Sequence, residues 1–92
     1  MGASASLDTN GIVLYSLSHC PFCNKAKLAL KKHGITVDKV YELDEMPNRT
    51  EMQDMLQTAS GGVRTVPQLY VNGKFIGGSD AIVTWAELNG VV

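Results

Sequence analysis

Two cysteines, three prolines and one tryptophan are few for a chain of 92 residues. Two thiols cannot build the multi-bridge framework that staples small secreted domains. A structural zinc site needs four ligands; one cysteine pair supplies two, and His19 and His33 stand singly. Positive charge is also short: eight Lys and Arg against nine Asp and Glu give a formal net charge of −1. That leaves no electrostatic case for nucleic acid or an anionic membrane as partner. No apolar run reaches the roughly 20 residues of a membrane span, and no basic segment with an apolar stretch behind it marks a secretory leader. The expectation is a cytoplasmic protein, in a compartment where a disulfide is more often catalytic than structural.

What is present is a core: 45% of the residues are apolar, enough for one sheet with helices packed on it. Residues 1–10 read as a flexible tail and 11–92 as a single domain. Within the tail, Gly2 and Ser6 match a myristoylation pattern. Gly11 to Leu17 is an apolar run that reads as a buried strand. Pro21 opens a helix, where its missing N–H costs nothing; Phe22, Ala26, Ala29 and Leu30 give it an inner face, and Gly34 ends it. Val37 to Leu43 reads as a second strand. Thr50 and Gln53 have capping-box spacing for a helix whose inner face is Met52, Met55, Leu56 and Ala59. Pro67 to Val71 and Lys74 to Ile76 are strands joined by Asn72-Gly73, a strong hairpin signal because both residues tolerate positive φ. Ser79 or Asp80 caps a last helix that runs to about Asn89, with Ile82, Trp85 and Ala86 inward. The order is β-α-β-α-β-β-α. The first two strands need a crossover helix and should be parallel, and the last two antiparallel, in one four-stranded mixed sheet flanked by helices.

The two cysteines sit three apart, Cys20-Pro21-Phe22-Cys23, between the first strand and first helix. Residues three apart share a helix face, so the two sulfurs can meet. Cys20 faces the unpaired N–H groups and positive end of the helix, which favour a thiolate. Cys23, further in, has less of that help. The positions are unequal, with Cys20 the attacking thiol and Cys23 the resolving one. A thiol stabilised as an anion also leaves a mixed disulfide readily when a second thiol attacks. A structural bridge across so short a loop would constrain little of the unfolded chain. His19 reads either as an imidazolium that helps the thiolate or as an exposed loop residue.

Cys-Pro-Phe-Cys after the first strand, Thr65-Val66-Pro67 and Gly77-Gly78-Ser79-Asp80 at this spacing resemble the glutaredoxin family. The resemblance runs from Gly11 to Asn89. It implies the thioredoxin fold, glutathione as partner and reversible disulfide exchange. Two cysteines indicate the dithiol class, since the monothiol class has serine where Cys23 stands.

Carried over to this chain, the resemblance implies Cys20 and Cys23 as catalytic, with Pro21, Phe22 and a cis Pro67 in support. It implies a glutathione site of Gln53, Arg64, Thr65, Val66, Pro67, Gly78, Ser79 and Asp80. The residue chemistry agrees: the Val66 backbone can pair with an extended peptide. Glycines 77 and 78 admit a ligand close to the backbone, and the helix start at Ser79 and Asp80 suits a carboxylate. Asp80 would hold the ligand's ammonium, and Gln53 and Arg64 its glycine carboxylate. Leu17 departs from the family, which usually carries lysine there. Glutathione, or a related low-molecular-weight thiol with less negative charge, is the expected co-substrate, with no tightly bound cofactor. Protein disulfides and glutathionylated proteins are the expected partners of a monomer. The alternative is a dimer in which Cys20 of each subunit, with two glutathiones, holds a [2Fe–2S] cluster.

Overall fold

A computed structural model describes residues 7–91; the Gly2 motif lies outside them. The elements are β1 (Ile12–Ser16), α1 (Pro21–Lys32), β2 (Lys39–Glu42), a 3₁₀ turn (Leu43–Glu45), α2 (Arg49–Ala59), β3 (Gln68–Val71), β4 (Lys74–Gly77) and α3 (Ser79–Asn89). One four-stranded sheet runs in the order β2-β1-β3-β4. β1 is parallel to β2 and antiparallel to β3, and β3 is antiparallel to β4. This is the mixed sheet expected from the crossover helix and the hairpin. The hairpin turn has φ of 50° at Asn72 and 88° at Gly73, as a tight turn matching the strand twist requires.

Alternation along β1 divides the core. Val13 and Tyr15 point to one face, where they pack with Leu43, Tyr70 and the α2 residues Met52 and Leu56. Leu14 points to the other, where it packs with Leu69 and with Ala26 and Leu30 of α1 and Ile82 and Ala86 of α3. Each fully buried leucine stabilises the fold by roughly 1.5–3 kcal/mol. Because β1 is central and covered on both faces, its C-terminal end emerges against α1 at a fixed place. That end carries the cysteine loop.

Several expectations need correction. Phe22 is not on the inner face of α1: its relative exposure is 65%, and the buried stripe is Cys23, Ala26 and Leu30. The second strand is shorter than Val37 to Leu43, because the chain tightens into the 3₁₀ turn at Leu43. Thr50 and Gln53 form no capping box. α2 starts two residues earlier, with Asn48 at its N-cap accepting the Met52 N–H through its carbonyl at 3.0 Å. Ala59, on its last turn, is exposed. Neither Ser79 nor Asp80 caps α3; Gly78 holds that position, its carbonyl accepting from the Ile82 N–H at 2.8 Å.

Residues 7–10 are not a free tail. Leu7 packs against the Tyr15 side of the core. Asp8 accepts hydrogen bonds from Lys39 Nζ at 2.5 Å and Tyr41 Oη at 2.6 Å, and its carbonyl accepts from Tyr15 Oη at 2.7 Å. Tyr15 stacks on Tyr41 with ring centroids 5.2 Å apart. These donors, Lys39 first, hold the Asp8 carboxyl down at about 2. A carboxylate depressed on folding adds stability above its unfolded value near 4 and loses it as pH falls through the folded value. Asp8→Asn should therefore be less stable than the parent at pH 5, and the gap should close between about pH 4 and pH 2. Urea midpoints at pH 5 and pH 2.5 check this.

Candidate active site

The loop after β1 is held before it reaches α1. Ser18 donates from its backbone N–H to Asp44 Oδ1 at 3.0 Å and from its hydroxyl to Asp44 Oδ2 at 2.7 Å. This side-chain bond, with the backbone one, keeps the Asp44 carboxyl below the ordinary range. His19 is exposed. The chain then reaches Cys20 in an extended conformation, φ −122° and ψ 114°, as the N-cap of α1, with Pro21 at the first helical position. In an N-cap the side chain accepts from an orphan N–H of the first turn. Here the acceptor is sulfur: the Cys23 N–H donates to Cys20 Sγ at 3.2 Å.

The second thiol has the opposite surroundings. Cys20 is half-buried and Cys23 fully buried. Burial, then its contact with Cys20, pushes the Cys23 thiol up to about 11. Ser16 and the Leu17 backbone, close to its sulfur, oppose that rise. Both cysteines are free thiols. One sulfur is presented to solvent with a backbone donor aimed at it; the other is stored beneath.

Two adjoining grooves open beside Cys20. The first, about 320 Å³, is lined by Leu17, Cys20, Gln53, Arg64, Thr65 and Val66. The second, about 400 Å³, lies between Phe22 on one side and Gly78, Ser79 and Asp80 on the other, with Thr65, Val66 and Pro67 along it. Thr65 and Val66 belong to both, so the grooves form one track past the half-buried Cys20. Every residue expected from the sequence lies on this track or at the thiol pair. Pro21 sets the helix start, and Cys23 lies under the floor. The Val66–Pro67 peptide bond is cis, as expected.

Charged groups flank the track in pairs. Arg64 Nη1 donates to Asp54 Oδ1 at 2.6 Å and to Gln57 Oε1 at 3.1 Å. Asp80 is 97% exposed and lies 3.7 Å from Lys25 Nζ. The Ser79 hydroxyl is buried and has no hydrogen-bond partner.

Sequence reasoning missed Gln68, which organises the track. It is fully buried at the start of β3. Its Nε2 donates to the carbonyls of Val63 at 2.8 Å and Thr65 at 2.9 Å, and its Oε1 accepts from Tyr70 Oη at 2.8 Å. A buried amide with donors and acceptor satisfied is a rigid clamp, and it fixes the segment that leads into Val66. Its signal is a glutamine within an otherwise apolar strand directly after Pro67.

An extended thiol at a helix start, a buried thiol one turn on and a cis-proline on the adjoining track define a thioredoxin-like protein. The chain belongs to the glutaredoxin family: that family's model matches residues 12–76. A monothiol glutaredoxin of Caenorhabditis elegans is 40% identical over 72 residues, 78% of this chain and 49% of that protein. The chain spans 49% to 60% of the length of the first curated relatives it matches. Among solved structures, oxidized glutaredoxin 2 from Chlamydomonas reinhardtii superposes with a TM-score of 0.77 at 38% identity, over 89% of this chain and 76% of that one. A buckwheat glutaredoxin–glutathione complex superposes with a TM-score of 0.77 at 28% identity, over 89% and 73%. The fold is therefore the thioredoxin-like fold of glutaredoxins.

The track depends on the close approach of β4 to α3. Gly77 has φ of 143°, and a Cβ there would lie 2.5 Å from Ala81 Cβ. Gly77→Ala should destabilise the protein by about 1–3 kcal/mol in chemical denaturation. It should also weaken binding of any ligand held at the start of α3, measured by calorimetry.

Proposed function

We propose that the protein is a glutathione-dependent thiol–disulfide oxidoreductase of the dithiol class, acting as a monomer on protein disulfides and glutathionylated proteins. The observation that carries this reading is the unequal seating of the two sulfurs: Cys20 Sγ accepts the Cys23 N–H at the helix start, and Cys23 is buried behind it. Cys20 attacks one sulfur of a substrate disulfide, the S–S bond breaks, and the departing thiolate leaves a mixed disulfide on Cys20. Hydrogen bonding at the helix start stabilises Cys20 as a leaving group, so the mixed disulfide is easily resolved. Cys23 resolves it by attacking Cys20 Sγ, which expels the second substrate thiolate and forms a Cys20–Cys23 disulfide. Two glutathiones then reduce that disulfide and become glutathione disulfide. On a glutathionylated substrate, a second glutathione resolves the adduct without Cys23.

The track suits a short peptide thiol. In this reading the backbone at Thr65 and Val66 pairs with the ligand's cysteine, beside Pro67. The N–H groups at Ser79 and Asp80, reached past Gly78, take its γ-glutamyl carboxylate, and the Asp80 carboxylate takes its ammonium. Gln53 and Arg64 take the glycine carboxylate. Phe22 supplies the apolar wall. The likeness to the buckwheat glutaredoxin–glutathione complex supports this choice of ligand. Leu17 and the engagement of Arg64 by Asp54 lower the positive charge at the carboxylate end. A related thiol with less negative charge therefore fits there as well.

The test compares reduction of a glutathione mixed disulfide and of a protein disulfide. Cys20→Ser should lower both rates to background. Cys23→Ser should keep most of the first and lose most of the second. Full turnover by Cys20→Ser would contradict the mechanism. A brown dimer on anaerobic purification, with visible absorbance dependent on Cys20, would support the cluster-binding reading instead.

A further inference from the structure

Cys23 has to lose a proton in order to resolve the mixed disulfide, and it is sealed from solvent. Ser16, also fully buried, lies close to its sulfur. The alternation that sends Leu14 toward α1 sends Ser16 the same way. In the parallel pairing with β2, Ser16 stands opposite Glu42. Glu42 turns to that face too, because its Oε2 accepts from Lys27 Nζ of α1 at 2.7 Å. Lys27 is four residues beyond Cys23, one turn on and on the same side of the helix. The other carboxylate oxygen, Glu42 Oε1, is buried and accepts no hydrogen bond. An acceptor left unmade in a low-dielectric interior is costly and unusual. The Ser16 hydroxyl donates a long hydrogen bond, 3.2 Å, to the Leu17 carbonyl.

We propose that Ser16 and Glu42 form a buried relay that removes the proton from Cys23 during resolution; this rests on the dithiol reading above. The Cys23 thiol passes its proton to Ser16 Oγ as the Ser16 hydroxyl proton moves to Glu42 Oε1. The electron pair left on Cys23 Sγ forms the bond to Cys20 Sγ. The bond from Cys20 to the substrate sulfur breaks, and the substrate leaves as a thiolate with that pair. The two cysteines are oxidised and the substrate is reduced. Ser16 touches the reacting sulfur, and Glu42 acts through it. Burial raises the Cys23 thiol above its ordinary value, which leaves little of it as thiolate at neutral pH. A local acceptor therefore has a large effect.

The charged and titratable groups around the relay are few. From α1 come Cys20 and Lys27, with Lys31 over the neighbouring groove. β1 brings only Ser16 to this face. Lys39 and Tyr41 of β2 are engaged by Asp8, and Asp44 and Glu45 of the 3₁₀ turn lie against the Ser18 hydroxyl.

The test loads Cys20 with glutathione in the full chain, then follows thiol release by rapid mixing from pH 6 to 9. Mass spectrometry confirms that the product is the Cys20–Cys23 disulfide. At pH 7, Ser16→Ala and Glu42→Gln should each lower the ratio of resolution rate to loading rate about 10²-fold. In both variants the resolution rate should climb about tenfold per pH unit as solvent hydroxide takes over, while the parent changes less than threefold. Unchanged ratios with the parent's pH profile would overturn the relay and leave the dithiol reading standing. If the parent never forms the Cys20–Cys23 disulfide, the dithiol reading falls and the relay with it. Should Glu42→Gln fail to fold for want of its Lys27 partner, Ser16→Ala decides alone.

Discussion

The hydrogen bond from the Cys23 amide into the Cys20 sulfur is the contact on which the site turns. It exists because the short loop after β1 delivers Cys20 to the start of α1 and because Pro21 begins the helix at once. The first-turn amide that usually meets a capping oxygen therefore meets sulfur. The position of that sulfur is in turn set by Ser18, clamped on Asp44, and by the two-faced core that fixes β1. The same helical turn that exposes Cys20 buries Cys23. The chemical difference between two identical side chains thus comes from three residues of helix geometry.

The groove is assembled from separate parts of the chain. Gln53 comes from α2, Thr65 to Pro67 from a loop pinned by Gln68, and Gly78 to Asp80 from the start of α3. Each part is anchored by something buried behind it, so the track is formed without a ligand. Preorganisation of this kind lowers the entropy lost on binding a flexible peptide.

Much of this was legible in the sequence because the decisive signals are local. The apolar run of β1, the Asn72-Gly73 turn and Pro21 beside the cysteines each act over a few residues. The misreadings have a common cause in long-range packing. Phe22 has helical spacing with Ala26 and Ala29, but the buried stripe passes through Cys23, whose sequence signal is that of a resolving thiol rather than a core residue. Asp8 finds its partners 31 and 33 residues away, at Lys39 and Tyr41, and no local pattern shows them. Gln53 forms no capping box, and it lines the groove beside Cys20 as the family resemblance implies. The serine and glutamate beneath Cys23 come together only through the β1–β2 register. The residues that line the track were recognisable by motif, whereas what supports them was not.

The central claim is that the fold makes one thiol reactive and keeps the other in reserve. Competitive alkylation of the reduced protein with limiting iodoacetamide at pH 7, read by peptide mass spectrometry, measures this directly. The account predicts modification of Cys20 at least about 100-fold faster than Cys23, given the burial of Cys23 and its thiol near 11. Equal labelling of the two, or faster labelling of Cys23, would contradict it.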